Sequence, residues 1–224
     1  MPTALGEAAP PARPADRSQG GESSYLAALI SPDAPPLIVD VGAHDGISWS
    51  NSAYFIEDGW TALMIEPMPK AFAEMQARYT GNPRVVCRNL ACADKAGILP
   101  FVLGDDHLAM LSALAAPDSK ADGLSILVKV DTLTRILERE SWPRDFAILS
   151  VDAETMDYEV LLGLDFARFR PRFIVVEDYG PKRPFLDHLL LSEGYRRLAQ
   201  LGDNHIWKHR EAPMRCPPGG SKAE

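Results

Sequence analysis

The segment Val39-Asp40-Val41-Gly42-Ala43-His44-Asp45-Gly46 constrains this chain more than any other. It follows Pro35-Pro36 and the apolar run Leu37-Ile38-Val39, and it leads into Ser48, Ser50 and Asn51. That order reads as a buried strand, a glycine turn and a helix start. A second strand, Thr61–Ile65, ends in Glu66 about twenty residues past Gly46. A strand–turn–helix–strand unit with an acid at the second strand's tip is how an open sheet holds a nucleoside. The glycines let the backbone approach the ligand, and the acid accepts from ribose hydroxyls.

The glycine spacing bears on which nucleoside. A dinucleotide site wants G-x-G-x-x-G, whose second glycine admits a pyrophosphate. Here that position is His44 and the third is Ile47, so a side chain crowds the place of the phosphates. S-adenosylmethionine fits better, because its amino-acid tail can lie along the loop. The alternatives are a nicotinamide-dependent oxidoreductase with an atypical loop and a non-catalytic cofactor-binding protein.

Several classes are excluded by composition. The formal net charge of −8 (23 basic, 31 acidic) leaves no basic footprint for nucleic acid. No apolar run is long enough to span a bilayer, and the N-terminus lacks the apolar region of a signal peptide. Cys87, Cys92 and Cys216 are too few and too irregular for a disulfide framework or a zinc site. A reduced cytoplasm is the compartment expected.

Residues Met1 to Ser24 read as a flexible leader and Pro213 to Glu224 as a flexible tail around one domain, 25–212. Strands are predicted at Leu37–Val41, Thr61–Ile65, Val85–Asn89, Phe146–Val151 and Phe173–Val176. Each is a near-continuous apolar run, as strands buried on both faces require. Helices are predicted between them at Ser50–Glu57, Pro69–Tyr79, Leu133–Glu140 (capped by Asp131 or Thr132), Met156–Leu162 and Phe185–Glu193. Tyr195–Leu201 and His205–His209 flank Gly202-Asp203-Asn204 as a hairpin, so the sheet ends with an antiparallel strand. Ile98–Leu103 and Ser125–Val130 bracket a long polar segment, Gly104–Gly123, which is either a lid or a solvated insertion.

The run VDVGAHDGISWSNSAYFIEDGWTALMIEPMP, with NLACADKAG, LSVDAETMDYEVLLGLDF and FIVVE after it, resembles the FkbM-type S-adenosylmethionine-dependent methyltransferases. The resemblance extends from Leu37 to His209. It implies a class I methyltransferase fold: a Rossmann-like, doubly wound α/β sheet of seven strands, mostly parallel with an antiparallel last strand. It also implies methyl transfer, usually to oxygen, on sugars, glycolipids or secondary metabolites. Two departures stand out. The family commonly has Asn at His44, and Gly where this chain has Thr155, followed by Met156. A β-branched residue resists positive φ, so the turn after the fourth strand is expected to need none or to be built differently.

On the cofactor side, Asp40 is expected to hold the turn or, through water, the methionine amine. Gly42, Ala43 and Gly46 allow close backbone approach, and His44 lies in the same loop. Ser50 and Asn51 sit at a helix N-terminus that favours the cofactor's carboxylate. Glu66 takes the ribose diol, and Asp94 is placed to accept from the adenine amine. On the acceptor side, Asp152 and Glu154 follow the fourth strand, and Glu177 and Asp178 follow the fifth. Asp152 is the expected general base, with Glu154 beside it, acting on a hydroxyl of a small molecule or glycan. No resident metal is expected; Mg²⁺ on Asp152, Glu177 and Asp178 is the alternative.

Overall fold

The computed structural model describes residues 13–102, 113–114, 125–177 and 181–215. Along the chain run α1 (Glu22–Leu29), β1 (Leu37–Val41), α2 (Ala53–Glu57), β2 (Thr61–Ile65), α3 (Pro69–Tyr79), β3 (Val85–Arg88), β4 (Ala91–Cys92), β5 (Gly97–Val102) and β6 (Ala113–Leu114). There follow β7 (Ser125–Asp131), α4 (Leu133–Arg139), β8 (Asp145–Val151), α5 (Asp157–Leu162), β9 (Arg170–Glu177), α6 (Arg183–Ser192), β10 (Tyr195–Leu201) and β11 (Asn204–His209).

A seven-stranded sheet has the order β10-β11-β9-β8-β1-β2-β3. The strands from β3 to β9 in that order are parallel. The last strand of the chain, β11, lies between β9 and β10 and is antiparallel to both. This is the doubly wound, mostly parallel α/β sheet with a reversed last strand that the resemblance implies.

Alternate residues of each strand serve different layers, which explains why the runs are apolar throughout. Ile38, Met64, Ile148 and Phe173 pack with Leu26 of α1, Phe55 of α2 and Met75 of α3. Val39, Leu63, Leu149 and Ile174 pack with Leu133 of α4, Leu161 of α5 and Leu186 and Leu190 of α6. The short helix α2 shows what this burial achieves. Five residues cannot hold a helix in water, but Tyr54, Phe55 and Ile56 are all buried, each worth roughly 1.5–3 kcal/mol. That offsets a backbone ordering cost of about 1–2 kcal/mol per residue.

Several boundaries differ from the sequence expectation. α2 starts at Ala53 rather than Ser50, because the Ser50 hydroxyl accepts from the Ser52 and Ala53 N–H groups and bends the chain into a turn. Of the two capping candidates for α4, Thr132 accepts from the Arg135 N–H, while Asp131 ends β7 and pairs with Arg135 and Arg139. The segment read as a leader overlaps α1, and its Glu22 and Ser23 are buried. The Asn204 amide donates to Glu22 at 3.0 Å, and the Ser23 hydroxyl donates to the Asn51 carbonyl at 3.0 Å. At the other end, Met214 bridges to Ile30 and the Arg215 N–H donates to the Leu29 carbonyl. Both ends therefore join the fold further out than composition suggested.

A smaller sheet, β4-β7-β5-β6, forms in the third crossover. Its inner residues Phe101, Val128 and Val130 pack on Met68 and Ala71 at the start of α3. Apart from Ala113–Leu114, the Gly104–Gly123 segment read as a lid or insertion lies outside the described residues. No helix among the described residues is long and apolar enough to cross a membrane.

The two central strands meet at Gly42. Its N–H donates to the Ile65 carbonyl of β2, and the Asp152 N–H donates to the Val41 carbonyl of β1. Gly42 has φ +83°, and a Cβ there would lie 1.7 Å from the Asp152 carbonyl oxygen. Gly42→Ala is expected to destabilise the chain by roughly 3 kcal/mol or more, because both the conformation and the space are denied. Urea unfolding monitored by circular dichroism measures this, and a loss under about 1 kcal/mol would show that the strand tips can part.

Candidate active site

A cavity of about 470 Å³ opens where β1, β2, β8 and β9 end. That size suits a small-molecule ligand, and the carboxyl edge is where open α/β sheets bind. Asp40, Gly42, Ala43, His44, Ser50, Asn51, Glu66, Asp152 and Glu154 line it, together with Glu177. Gly46 and Asp94 do not.

The first loop is held by its own side chains. Asp45 accepts from the Ile47 and Ser48 N–H groups, at 2.9 and 2.7 Å, closing an Asx turn. Gly46, at φ +77°, packs against Tyr79, Met75 and Met64, and the Tyr79 hydroxyl donates to the Gly46 carbonyl at 2.6 Å. Gly46 thus serves packing against α3 rather than ligand approach. His44 also takes positive φ, at +47°, and its N–H donates to Glu66 at 2.9 Å.

Glu66 caps the tip of β2 with both oxygens engaged. One accepts from His44, and the other accepts from the Met68 N–H at 2.7 Å. Burial pushes its carboxyl up to about 7, against the lowering effect of those two donors. A carboxylate has about four lone-pair positions, so Glu66 retains acceptor capacity toward the cavity. Asp40 is braced differently. The Ser52 hydroxyl donates to it at 2.5 Å, and burial raises it to about 6 despite help from Ser52 and Ser150. Ser50 and Asn51 lie in the turn before α2, and Asn51 donates to the Ser150 hydroxyl at 3.2 Å. They do not form a helix N-terminus, because α2 begins only at Ala53.

On the opposite wall the carboxylates of Asp152, Glu154 and Glu177 offer oxygens within 4.8 Å of one another. Asp178, the fourth acid expected there, lies outside the described residues. Burial raises Asp152, and burial together with the Asp152 charge raises Glu177. Behind them Asp157 accepts from the Ala153 N–H at 2.8 Å and tethers the loop to α5. Glu154 and Thr155 have φ +47° and +76°. The expectation that Thr155 avoids positive φ is therefore corrected. The surrounding packing imposes a conformation that costs a β-branched residue about 1–3 kcal/mol.

Residues 40–197 match the methyltransferase FkbM domain. The chain belongs to the FkbM methyltransferase family. No curated protein matches it at a significant level. Among solved structures, the methyltransferase FkbM from Methylobacillus flagellatus KT is similar at 15% identity and TM-score 0.52, over 83% of this chain. The match spans only 50% of that protein's length, and it shows the fold. A methyltransferase from Geobacter sulfurreducens aligns at 16% identity and TM-score 0.49, over 88% of this chain and 80% of that one. Fibrillarin from Aeropyrum pernix, in complex with natively bound S-adenosyl-L-methionine, aligns at 11% identity and TM-score 0.45, over 86% and 74%.

Some wall residues of this FkbM domain were not legible in the chain. Gln19 comes from the segment read as a leader, and Asp203 and Asn204 come from the hairpin. Leu90, Ala91 and Cys92 line the side where Asp94 was expected. Asp94 itself is exposed and lies 3.8 Å from the Lys95 ammonium. Trp49 also lines the cavity, with 56% of its surface exposed.

Two measurements test the site. Thr155→Gly is expected to stabilise the domain by about 1 kcal/mol by relieving the positive φ; destabilisation would mean that the Thr155 side chain supplies contacts worth more than the strain. Asp40 and Glu66 also carry a pH dependence. Both carboxyls are raised in the fold, from 3.8 to about 6 and from 4.5 to about 7. Their stabilising contribution is complete below the unfolded values and is lost as pH rises through the folded ones. The ligand-free protein should therefore melt higher at about pH 5 than at about pH 8, and the reverse order would contradict the burial assigned to these two groups.

Proposed function

We propose that this FkbM methyltransferase transfers the methyl group of S-adenosylmethionine to a hydroxyl of a sugar, glycolipid or secondary metabolite. The observation that carries this reading is Glu66. Its buried carboxylate stands at the tip of β2, tied to the first loop through the His44 N–H, and faces the cavity. An acceptor in that place suits the two hydroxyls of a ribose. The segment Gly42-Ala43-His44 then runs beside the amino-acid tail of the cofactor. The apolar wall of Leu90, Ala91 and Phe101 is a surface for an adenine ring.

Methyl transfer is an in-line displacement, and alignment of donor and acceptor supplies much of the rate. The sulfur–carbon bond breaks and its electron pair stays on sulfur, leaving S-adenosylhomocysteine. The acceptor oxygen forms the new bond to the methyl carbon, and its proton passes to Asp152. A carboxyl raised by burial is better suited to accept that proton than an ordinary aspartate. Glu154 stands beside it as a second acceptor for substrate hydroxyls.

The wall also bears on the acceptor. Asp40, Glu66, Asp152, Glu154, Glu177 and Asp203 line the cavity, while no Lys or Arg does so among the described residues. Such a field repels phosphorylated or sulfated acceptors and suits neutral polyhydroxyl ones. The free thiols of Cys87 and Cys92, both raised by burial, support a reduced cytoplasmic setting.

Isothermal titration with S-adenosylhomocysteine tests the cofactor. Binding is expected, with loss on Glu66→Ala. Ribose hydroxyls donate to an ionised carboxylate, so affinity should rise as Glu66 titrates between about pH 6 and about pH 8. No binding, or an affinity that falls over that range, would refute the reading. Labelled S-adenosylmethionine with a panel of glycans and small alcohols then reads the acceptor.

A further inference from the structure

The acceptor wall carries more negative charge than the cofactor can balance. S-adenosylmethionine brings a sulfonium, an ammonium and a carboxylate, a net single positive charge. Asp40 and Glu66 lie on the cofactor side, each satisfied by donors of the protein. Asp152, Glu154 and Glu177 converge on the other side, where no Lys or Arg lines the cavity among the described residues and His44 is the basic side chain that acts on Asp152.

The decisive group is Glu177. It ends β9, is only 9% exposed, and faces the cavity. Its Oε2 is buried and takes no hydrogen bond. Its carboxyl shares a hydrogen bond with that of Asp152, one proton lying between two acids. A buried carboxylate oxygen without a donor is costly to keep. The three-acid set is all oxygen, which selects hard cations. The oxygens of the three acids lie within 4.8 Å of one another, close enough to meet on one ion with ligands at about 2.1–2.4 Å.

We infer that Asp152, Glu154 and Glu177 form a binding site for a hard divalent cation, Mg²⁺ or Mn²⁺, that holds the acceptor hydroxyl in the methyl-transfer cavity. The set differs from the sequence alternative in using Glu154 in place of Asp178. The inference rests on the acceptor side proposed above. Glu154 reaches the cluster because the chain turns back at Glu154 and Thr155, both at positive φ. With Asp152 binding through one oxygen, its second oxygen stays available for the hydroxyl proton. The cation adds what the wall lacks: positive charge beside an oxygen that must become nucleophilic.

The test uses the full chain, freed of metal with a chelator and titrated with Mn²⁺ while the free-ion signal is followed by electron paramagnetic resonance. One Mn²⁺ per chain is expected, displaced by Mg²⁺. Glu177→Gln, which keeps the side chain's size, should weaken it by at least about tenfold without changing affinity for S-adenosylhomocysteine. Absence of Mn²⁺ binding to the wild type would overturn the site and leave a proton shared by Asp152 and Glu177 as the balancing charge. Mn²⁺ binding that ignores Glu177→Gln would also overturn it. S-adenosylhomocysteine binding without Mn²⁺ binding removes the metal and keeps the cofactor reading. Mn²⁺ binding without S-adenosylhomocysteine binding supports the metal and removes the cofactor reading.

Discussion

The contact between Gly42 and the Asp152 carbonyl is the constraint on which this site depends. β1 and β8 are hydrogen-bonded neighbours, and their tips turn apart, one into the first loop and the other into the acid loop. With no side chain at Gly42, the Asp152 backbone occupies the space where a Cβ would stand. The two loops are thereby fixed side by side by backbone, which moves less than side chains do. Donor and acceptor loops in register to within an ångström are what an in-line transfer requires.

Glu66 extends that frame. It accepts from His44 in the first loop and from Met68 at the head of α3, while the Asn89 amide donates to the Glu66 carbonyl at 2.8 Å. One residue therefore links β1, β2, β3 and α3 at the cavity floor. The cost appears in its raised carboxyl. A buried acid that must ionise to bind is poised for a ligand carrying hydroxyl donors or positive charge. The same logic acts on the opposite wall, where the buried Glu177 shares a hydrogen bond with Asp152 and leaves its Oε2 unpaired. The two walls differ in how much of their charge the protein satisfies; on the proposed reading the better satisfied wall takes the nucleoside and the other takes the cation.

The main strands were legible because burial on both faces leaves an unambiguous apolar signal. The start of α2 was not. Ser50 is equally suited to cap a helix and to close a turn, and only the contacts of Ser52 decide between them. Here Ser52 donates to Asp40 and to no helix carbonyl, which places Ser50 one turn too early. Asp94 was expected beside the adenine after the third strand, but the unpredicted strand β4 comes between them, and Ala91 and Cys92 stand on the wall instead. Gln19 and Asn204 meet at 3.4 Å across 185 positions of chain; no local pattern encodes such a meeting. The hairpin was predicted, but which loop it would face was not.

Thr155 shows how far local preference yields to tertiary demand. The resemblance to FkbM proteins supplies a glycine there, and the stereochemistry of threonine argues for a different turn. The chain keeps the turn and accepts the strain. Asp157 ties Ala153 down, and the Val41 carbonyl of β1 holds the Asp152 N–H, so only Glu154 and Thr155 are left to reverse direction. Both take positive φ in consequence. Strain of this kind persists where the surrounding structure over-determines it and where the geometry it secures is used. What it secures here is the Glu154 carboxylate beside Asp152 and Glu177, which a relaxed turn would release toward solvent.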